Sequence, residues 1–240
     1  EFQFSVGSGS YLLYAVLPDG TIHSSKLNAL SQGKFKVNGT MIQYYQGGTY
    51  RFQASQFELL QLAHEDFCSW SVPALSTKTR SYEGDFEVRV NKANLQLVNL
   101  IELETYLEGV VSCEGGPGHQ KAYYQAQAVI SRTYALNNLK RHQKDGYELC
   151  ERVHCQSYLH KRTGSALIDT AVFQTKSVVL LDAKGQYFPT FFHANCGGQT
   201  SEPDYVWNNK IPYLSTFKDT FCIYTKQATW EKRIPQTDWM

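Results

Sequence analysis

After Gly118 the chain runs to about Lys144 without a single Gly or Pro. Within that stretch Ala122, Ala126, Val129, Ile130, Thr133 and Leu136/Asn137 recur at three- and four-residue spacing, with Gln125, Arg132 and Lys140 falling elsewhere. That period belongs to an α-helix with one packed face, and its alanines let the face lie close against a sheet or another helix. The stretches before it carry a different period. Tyr11 to Leu17 meets Pro18-Asp19-Gly20, Phe35 to Val37 meets Asn38-Gly39, and Met41 to Tyr45 meets Gly47-Gly48 before Thr49 to Ala54. Short runs closed by residues that tolerate positive φ predict hairpins. Phe86 to Val90 alternates apolar and polar side chains, and Leu95 to Leu100 returns after a turn at Asn91 to Asn94. The Asn38-Gly39-Thr40 triplet also matches a glycosylation acceptor, but the turn accounts for the same residues.

These patterns predict an α+β mixed domain with a long central helix packed on antiparallel strands and a β-rich N-terminal elaboration. The division is placed at residues 1–80 for the β-rich region and 81–240 for the core, the whole forming one compact unit. Ala166 to Gln174 reads as a further helix, with strands at Ser177 to Leu181 and Tyr187 to His193 around a Lys184-Gly185 turn.

Charge narrows the partners. Lys and Arg number 23 against 22 Asp and Glu, a net charge of +1 in 240 residues, so no strong field recruits nucleic acid or an anionic membrane surface. Charged residues make up 19% and aromatics 14%, a composition that excludes disorder. No apolar run reaches the roughly 18 residues of a membrane span. Glu1 to Ser10 lacks a basic segment followed by an apolar stretch, so a secretory leader is expected either to be absent or to have been removed. Nothing terminates the chain visibly at Asp238-Trp239-Met240, and continuation beyond Met240 stays open. The six cysteines, Cys68, Cys113, Cys150, Cys155, Cys196 and Cys222, are too sparse for a disulfide scaffold and compatible with a mixture of bridges and a metal site.

Four groups of residues can carry chemistry. Glu114 precedes Gly115-Gly116-Pro117-Gly118, where flexible backbone lets a ligand approach closely. Read as a turn feeding the long helix, the segment makes Glu114 either a general acid, if an apolar site keeps it protonated, or an acid complementing the helix N-terminus. His142, Cys150, His154 and Cys155 are four zinc-type ligands within fourteen residues; a closed tetrahedral set is structural, and the competing reading is a Cys150–Cys155 disulfide beside two surface histidines. Phe192 to Thr200 runs into Gly197-Gly198 with imidazole, amide and hydroxyl groups suited to an oligosaccharide, or to an ordinary turn. A thiol protease built on Cys196 and His193 is disfavoured by their three-residue spacing. Tyr123, Tyr124, Tyr134, Tyr158, Tyr187, Tyr205 and Trp207 offer faces on which sugars stack, and equally the means to pack a core.

The run Leu103-Glu104-Thr105-Tyr106-Leu107-Glu108-Gly109-Val110-Val111 leads into Glu114 and then Tyr124-Gln125-Ala126-Gln127-Ala128-Val129-Ile130-Ser131-Arg132-Thr133-Tyr134-Ala135-Leu136. His154-Cys155-Gln156-Ser157-Tyr158, His193-Ala194-Asn195-Cys196-Gly197-Gly198, Val206-Trp207 and Pro212-Tyr213-Leu214 come after it in the chain. In this order the motifs resemble the stage II sporulation protein D family, whose members are peptidoglycan lytic transglycosylases or the related amidase enhancers; the resemblance covers roughly Tyr82 to Phe217. It implies that Glu114 is the catalytic acid. It also implies a glycan groove of Gln125, Gln127, Arg132 and Tyr134 from the helix and His193, Asn195, Gly198 and Thr200 from the turn. Zinc at His142, Cys150, His154 and Cys155 is favoured over a disulfide, because some members bind zinc around the His-Cys-Gln motif. The implied partner is the glycan strand, stripped of stem peptides, and a cell-wall amidase in the alternative role; the implied setting is the cell envelope.

Departures accompany the likeness. Gln125 stands where the family commonly has Lys, Glu114-Gly115-Gly116 replaces Glu-Met-Pro, and Cys196 replaces a serine. With the two motifs facing each other as the family implies, Cys113 and Cys196 are expected to bridge, which fits an oxidising compartment. Cys68 and Cys222 stay unassigned.

Overall fold

The computed structural model describes residues 1–63, 66–71, 79–159, 165–208, 210–211, 213–229 and 231–238. Pro212 of the Pro-Tyr-Leu motif and Trp239 near the end of the chain lie outside the described residues, as does the side chain of Trp207. Two compact units are present, Glu1–Thr190 and Phe191–Met240.

The first unit opens with eleven strands: β1 (Phe2–Ser8), β2 (Ser10–Val16), β3 (Ile22–Asn28), β4 (Gln32–Asn38), β5 (Met41–Gln46), β6 (Thr49–Ala54), β7 (Gln56–Gln61), β8 (Phe67–Ser71), β9 (Arg80–Glu83), β10 (Asp85–Asn91) and β11 (Asn94–Leu100). They form two antiparallel sheets, ordered β6-β5-β4-β1-β8-β9 and β11-β10-β7-β2-β3. Period-two burial explains the pairing: Tyr11, Leu13 and Ala15 of β2, Phe57 and Leu59 of β7, and Phe86 and Val88 of β10 all point into one core. Phe35 centres that core, its ring 5.4 Å from Phe4 and 4.9 Å from Phe57. The hairpin β10–β11, expected in the second region, pairs with β7 through Phe86↔Leu59 and Val88↔Phe57. A division at residue 80 therefore runs through both sheets.

Three helices come next: α1 (Leu103–Gly115), α2 (Lys121–Asn137) and α3 (Ala166–Gln174). Leu107 and Val111 of α1, Tyr124 and Ala128 of α2, and Ile168, Ala171 and Val172 of α3 make a second core. The fold is thus α+β as expected, but the long helix packs chiefly on its helical neighbours. It is α1, through Val110, that joins the sheet core.

Helix α2 ends at Asn137, short of the expected Lys144. Asn138 donates its side-chain amide to the Tyr134 carbonyl at 2.8 Å, competing with the next helical N–H. The chain then turns through 3-10 geometry at Gln143–Asp145 to Gly146, which is left-handed at φ 82°. The strands expected at Ser177 to Leu181 and Tyr187 to His193 are reduced to one bridge, Leu181↔Tyr187. Their backbone is bonded elsewhere: the Val178 carbonyl accepts from Arg132 and the Leu180 N–H donates to Thr133 Oγ1 at 3.0 Å.

In the second unit the chain forms a single-turn helix, α4 (Asp204–Trp207), and a Gln199↔Lys218 bridge.

Candidate functional site

Glu114 lies in the last turn of α1, not at the entry to α2. The helix end nearest its carboxyl along the chain is therefore a C-terminus, and the reading as an N-terminal dipole partner does not hold. The chain leaves α1 by a glycine-dependent exit: Gly116 has φ 65° and ψ −178°, a region side chains do not enter. Tyr124 closes this exit, its hydroxyl donating to the Gly116 carbonyl at 2.9 Å and accepting from the His119 N–H at 3.3 Å. His119 stacks on Tyr123 with ring centroids 4.1 Å apart, and Tyr123 stays exposed.

The half-buried Glu114 carboxyl is held by one backbone group, the Ser157 N–H, at 2.6 Å from Oε1. Among the described residues Oε2 has no hydrogen-bond partner. The Ser157 donor is itself fixed on both sides. Gln156, buried, donates to the Ser131 carbonyl at 3.2 Å and accepts from the Tyr106 hydroxyl at 3.1 Å. Tyr158 sits in the sheet core against Tyr82 and Tyr106, with centroids 5.4 and 4.9 Å away. Burial, then neighbouring anionic groups that include Glu114, raises the phenols of Tyr106 and Tyr123 above their ordinary range, so both remain hydrogen-bond donors. Ser157, His119 and Tyr106 are not among the site residues that sequence reasoning reaches. A backbone N–H leaves no mark in a sequence, and Tyr106 shows only as part of an apolar helix stripe.

Beside this segment the four sulfur and imidazole ligands converge. One atom from each of His142, Cys150, His154 and Cys155 lies within 4.8 Å of the others. His154 Nδ1 is 3.8 Å from the Cys150 sulfur and 3.7 Å from that of Cys155. His142 Nε2 is buried without a partner, while its Nδ1 faces Asp145 Oδ2 at 3.1 Å. An orphaned imidazole nitrogen aimed into two thiols, with a carboxylate behind the ring, is the donor set of a structural zinc. The residues fit the metal.

The expected glycan-binding residues on α2 have other work. Arg132 is 1% exposed and grips Glu104 with two bonds, 2.6 and 3.0 Å, while also donating to the Val178 and Val172 carbonyls. Its donors are spent inside the protein, so it does not line a groove. Gln127, 5% exposed, donates to Ser131 Oγ. Gln125 is partly exposed and donates to Gln174. The Tyr134 hydroxyl donates to the His154 carbonyl at 3.3 Å and accepts from Arg141 at 2.8 Å, so it buttresses the ligand loop.

His193, exposed, and Asn195, Gly198 and Thr200 fall in the second unit. Asn195 donates to the Cys222 carbonyl at 3.1 Å and to Thr225 Oγ1. The Gly198 carbonyl accepts from the Asp219 N–H at 2.9 Å, and Thr200 pairs with Phe217. Of the expected Cys113–Cys196 bridge, Cys113 lies on α1 in the first unit and Cys196 in the second. A cavity of about 720 Å³, lined by Tyr106, Tyr147, Cys150 and Tyr158 among others, runs between β11 and the end of α2; Glu114 is not among its lining residues.

Residues 91–181 match the SpoIID family model, described as Stage II sporulation protein. An uncharacterised protein of Brachyspira hyodysenteriae is 31% identical over 127 residues, which is 52% of this chain and 34% of that protein. The chain thus spans about a third of the length of this curated relative. No solved structure matches it. Among the described residues, no helix is long and apolar enough to cross a membrane.

Proposed function

We propose that this chain, whose residues 91–181 match the SpoIID family model, acts on the bacterial cell wall as a lytic transglycosylase of peptidoglycan glycan strands, in the cell envelope. The observation that carries this reading is the setting of Glu114: a half-buried carboxyl held at one oxygen by a backbone donor, with no partner for the other oxygen among the described residues.

In the proposed reaction the protonated Glu114 Oε2 donates to the oxygen linking N-acetylmuramic acid to N-acetylglucosamine, and that C–O bond breaks. The C6 hydroxyl of the same muramic acid then attacks C1 and gives its proton back to the Glu114 carboxylate. A 1,6-anhydro sugar forms and no water is consumed, so one carboxyl serves where glycosidases use two. The Ser157 N–H keeps Oε1 from rotating into the substrate's path. Tyr123, stacked on His119 and exposed, gives a sugar ring a face to lie on. Zinc held by His142, Cys150, His154 and Cys155 would supply cross-linking rather than reaction chemistry, tying the end of α2 to the loop that carries Ser157.

A second reading is favoured by one observation. Arg132 is internal and Gln125 is uncharged, so neither position brings a cation to an anionic wall polymer. This suits a glycan-binding enhancer of a cell-wall amidase. Digestion of denuded glycan followed by mass spectrometry separates the two. Transglycosylase action yields anhydro termini with the native protein and none with Glu114→Gln, which still sediments with glycan. Absence of such termini with the native protein, with sedimentation intact, leaves the enhancer.

A further inference from the structure

The second unit, residues 191–240, is poor in apolar core. Every hydrophobic residue in the two cores belongs to the first unit, and among the described residues of the second only Pro203 is buried. A body of this size without a core of its own ordinarily needs a covalent or metal staple.

One cluster in it has the composition of such a staple. Cys196, Asp219 and Cys222 bring one ligand atom each within 4.8 Å of the others. Both sulfurs lie 3.5 Å from the same carboxylate oxygen, Asp219 Oδ2. A tetrahedral zinc with sulfur at about 2.3 Å and oxygen at about 2.0–2.2 Å sets those ligand atoms about 3.5–3.7 Å apart. The two sulfur–oxygen edges of such a polyhedron are already in place.

The surrounding chain is built around these three residues. Asn195 accepts the Gly197 N–H at 2.7 Å and donates to the Cys222 carbonyl, so one side chain positions both cysteine segments. Gly198 has φ 103°, and a Cβ there would stand 2.7 Å from Ile223, so only glycine lets the two segments close. Asp219 Oδ1 is fixed by the Phe221 N–H at 3.1 Å, turning Oδ2 toward the thiols.

We propose that Cys196, Asp219 and Cys222 form a second zinc-binding site, its fourth vertex taken by water, that staples the C-terminal unit. The site is distinct from the His142, Cys150, His154 and Cys155 cluster and does not depend on glycan cleavage.

The test uses the full chain, purified without reductant and supplied with zinc. Bound metal is counted by elemental mass spectrometry, and thiols are alkylated before and after chelation and assigned by peptide mapping. The site predicts that Cys196 and Cys222 resist alkylation until the chelator is added. It also predicts that Cys222→Ser loses one zinc per chain while Cys150 and Cys155 keep their protection. Alkylation of Cys196 and Cys222 at the rate of open thiols before chelation overturns the proposal. So does their recovery as a disulfide-linked peptide pair, or a zinc content unchanged by Cys222→Ser. If that variant does not fold, the protection pattern of the native chain decides alone.

Discussion

Arg132 shows how far residue type can mislead about role. A cation in a family motif reads as a sugar contact, yet here a guanidinium with 1% of its surface exposed is matched by a Glu104 carboxylate that keeps 26% of its own. Breaking a buried pair leaves an uncompensated charge, which costs roughly 3–5 kcal/mol when fully buried and somewhat less for a partner that reaches water. Arg132→Ala is therefore expected to lower unfolding free energy by about 3 kcal/mol in urea titration, rather than to weaken glycan binding in a protein that stays folded. Ser157 gives the opposite lesson. Its contribution to Glu114 comes from the main chain, so Ser157→Ala is expected to cleave glycan at close to the native rate. Ser157→Pro removes the donor, and to the carboxylate that forms as Glu114 gives up its proton such a hydrogen bond is worth about 1.5–3 kcal/mol. Initial rates of anhydro-terminus release should fall by about 10- to 100-fold in that variant, with circular dichroism confirming that it folds.

At the scale of elements, the hairpin β10–β11 turns on Lys92 and Ala93, with φ of 49° and 63°. Both residues are left-handed, as a two-residue hairpin turn requires, but neither is the Asn or Gly that adopts this cheaply. Ala93→Gly is expected to stabilise the protein by about 1 kcal/mol, read as a higher urea midpoint at unchanged slope. Elements with strong punctuation were legible: Asn38-Gly39 and Gly47-Gly48 mark the β4–β5 and β5–β6 turns, and α3 falls at Ala166–Gln174 as its sequence predicts. Helix α1 was not recognised, although Leu103, Tyr106, Leu107, Val110 and Val111 keep the helical period; the glycines after Glu114 drew the segment toward a turn. Strand β3, Ile22–Asn28, was missed because only Leu27 of it is buried. The Glu114 and zinc-type residues were visible because chemistry requires their side chains. Their distances were not, because these depend on where α1 and the 154–158 loop meet.

For the whole molecule, the sheet core responds to alkali in a definite direction. Burial raises the Cys68 thiol from 9.0 to about 12 and the Tyr44 phenol from 10.0 to about 12. The unfolded chain releases these protons at ordinary pH values while the folded chain keeps them. The stabilisation is thus fully present below about pH 9 and lost as pH rises toward 12. Melting temperature should be level up to about pH 8.5 and decline steadily above it; a flat profile to pH 11 would contradict the burial of these two groups.

The guanidinium of Arg132 touches α1 through Glu104, α3 through the Val172 carbonyl and the following segment through Val178. A single keystone of this kind makes partial assembly costly, since lifting away either neighbour strands a positive charge. The helical layer is thereby committed to form and dissolve as one body, and a half-docked state that would offer its apolar faces to other chains is disfavoured from within.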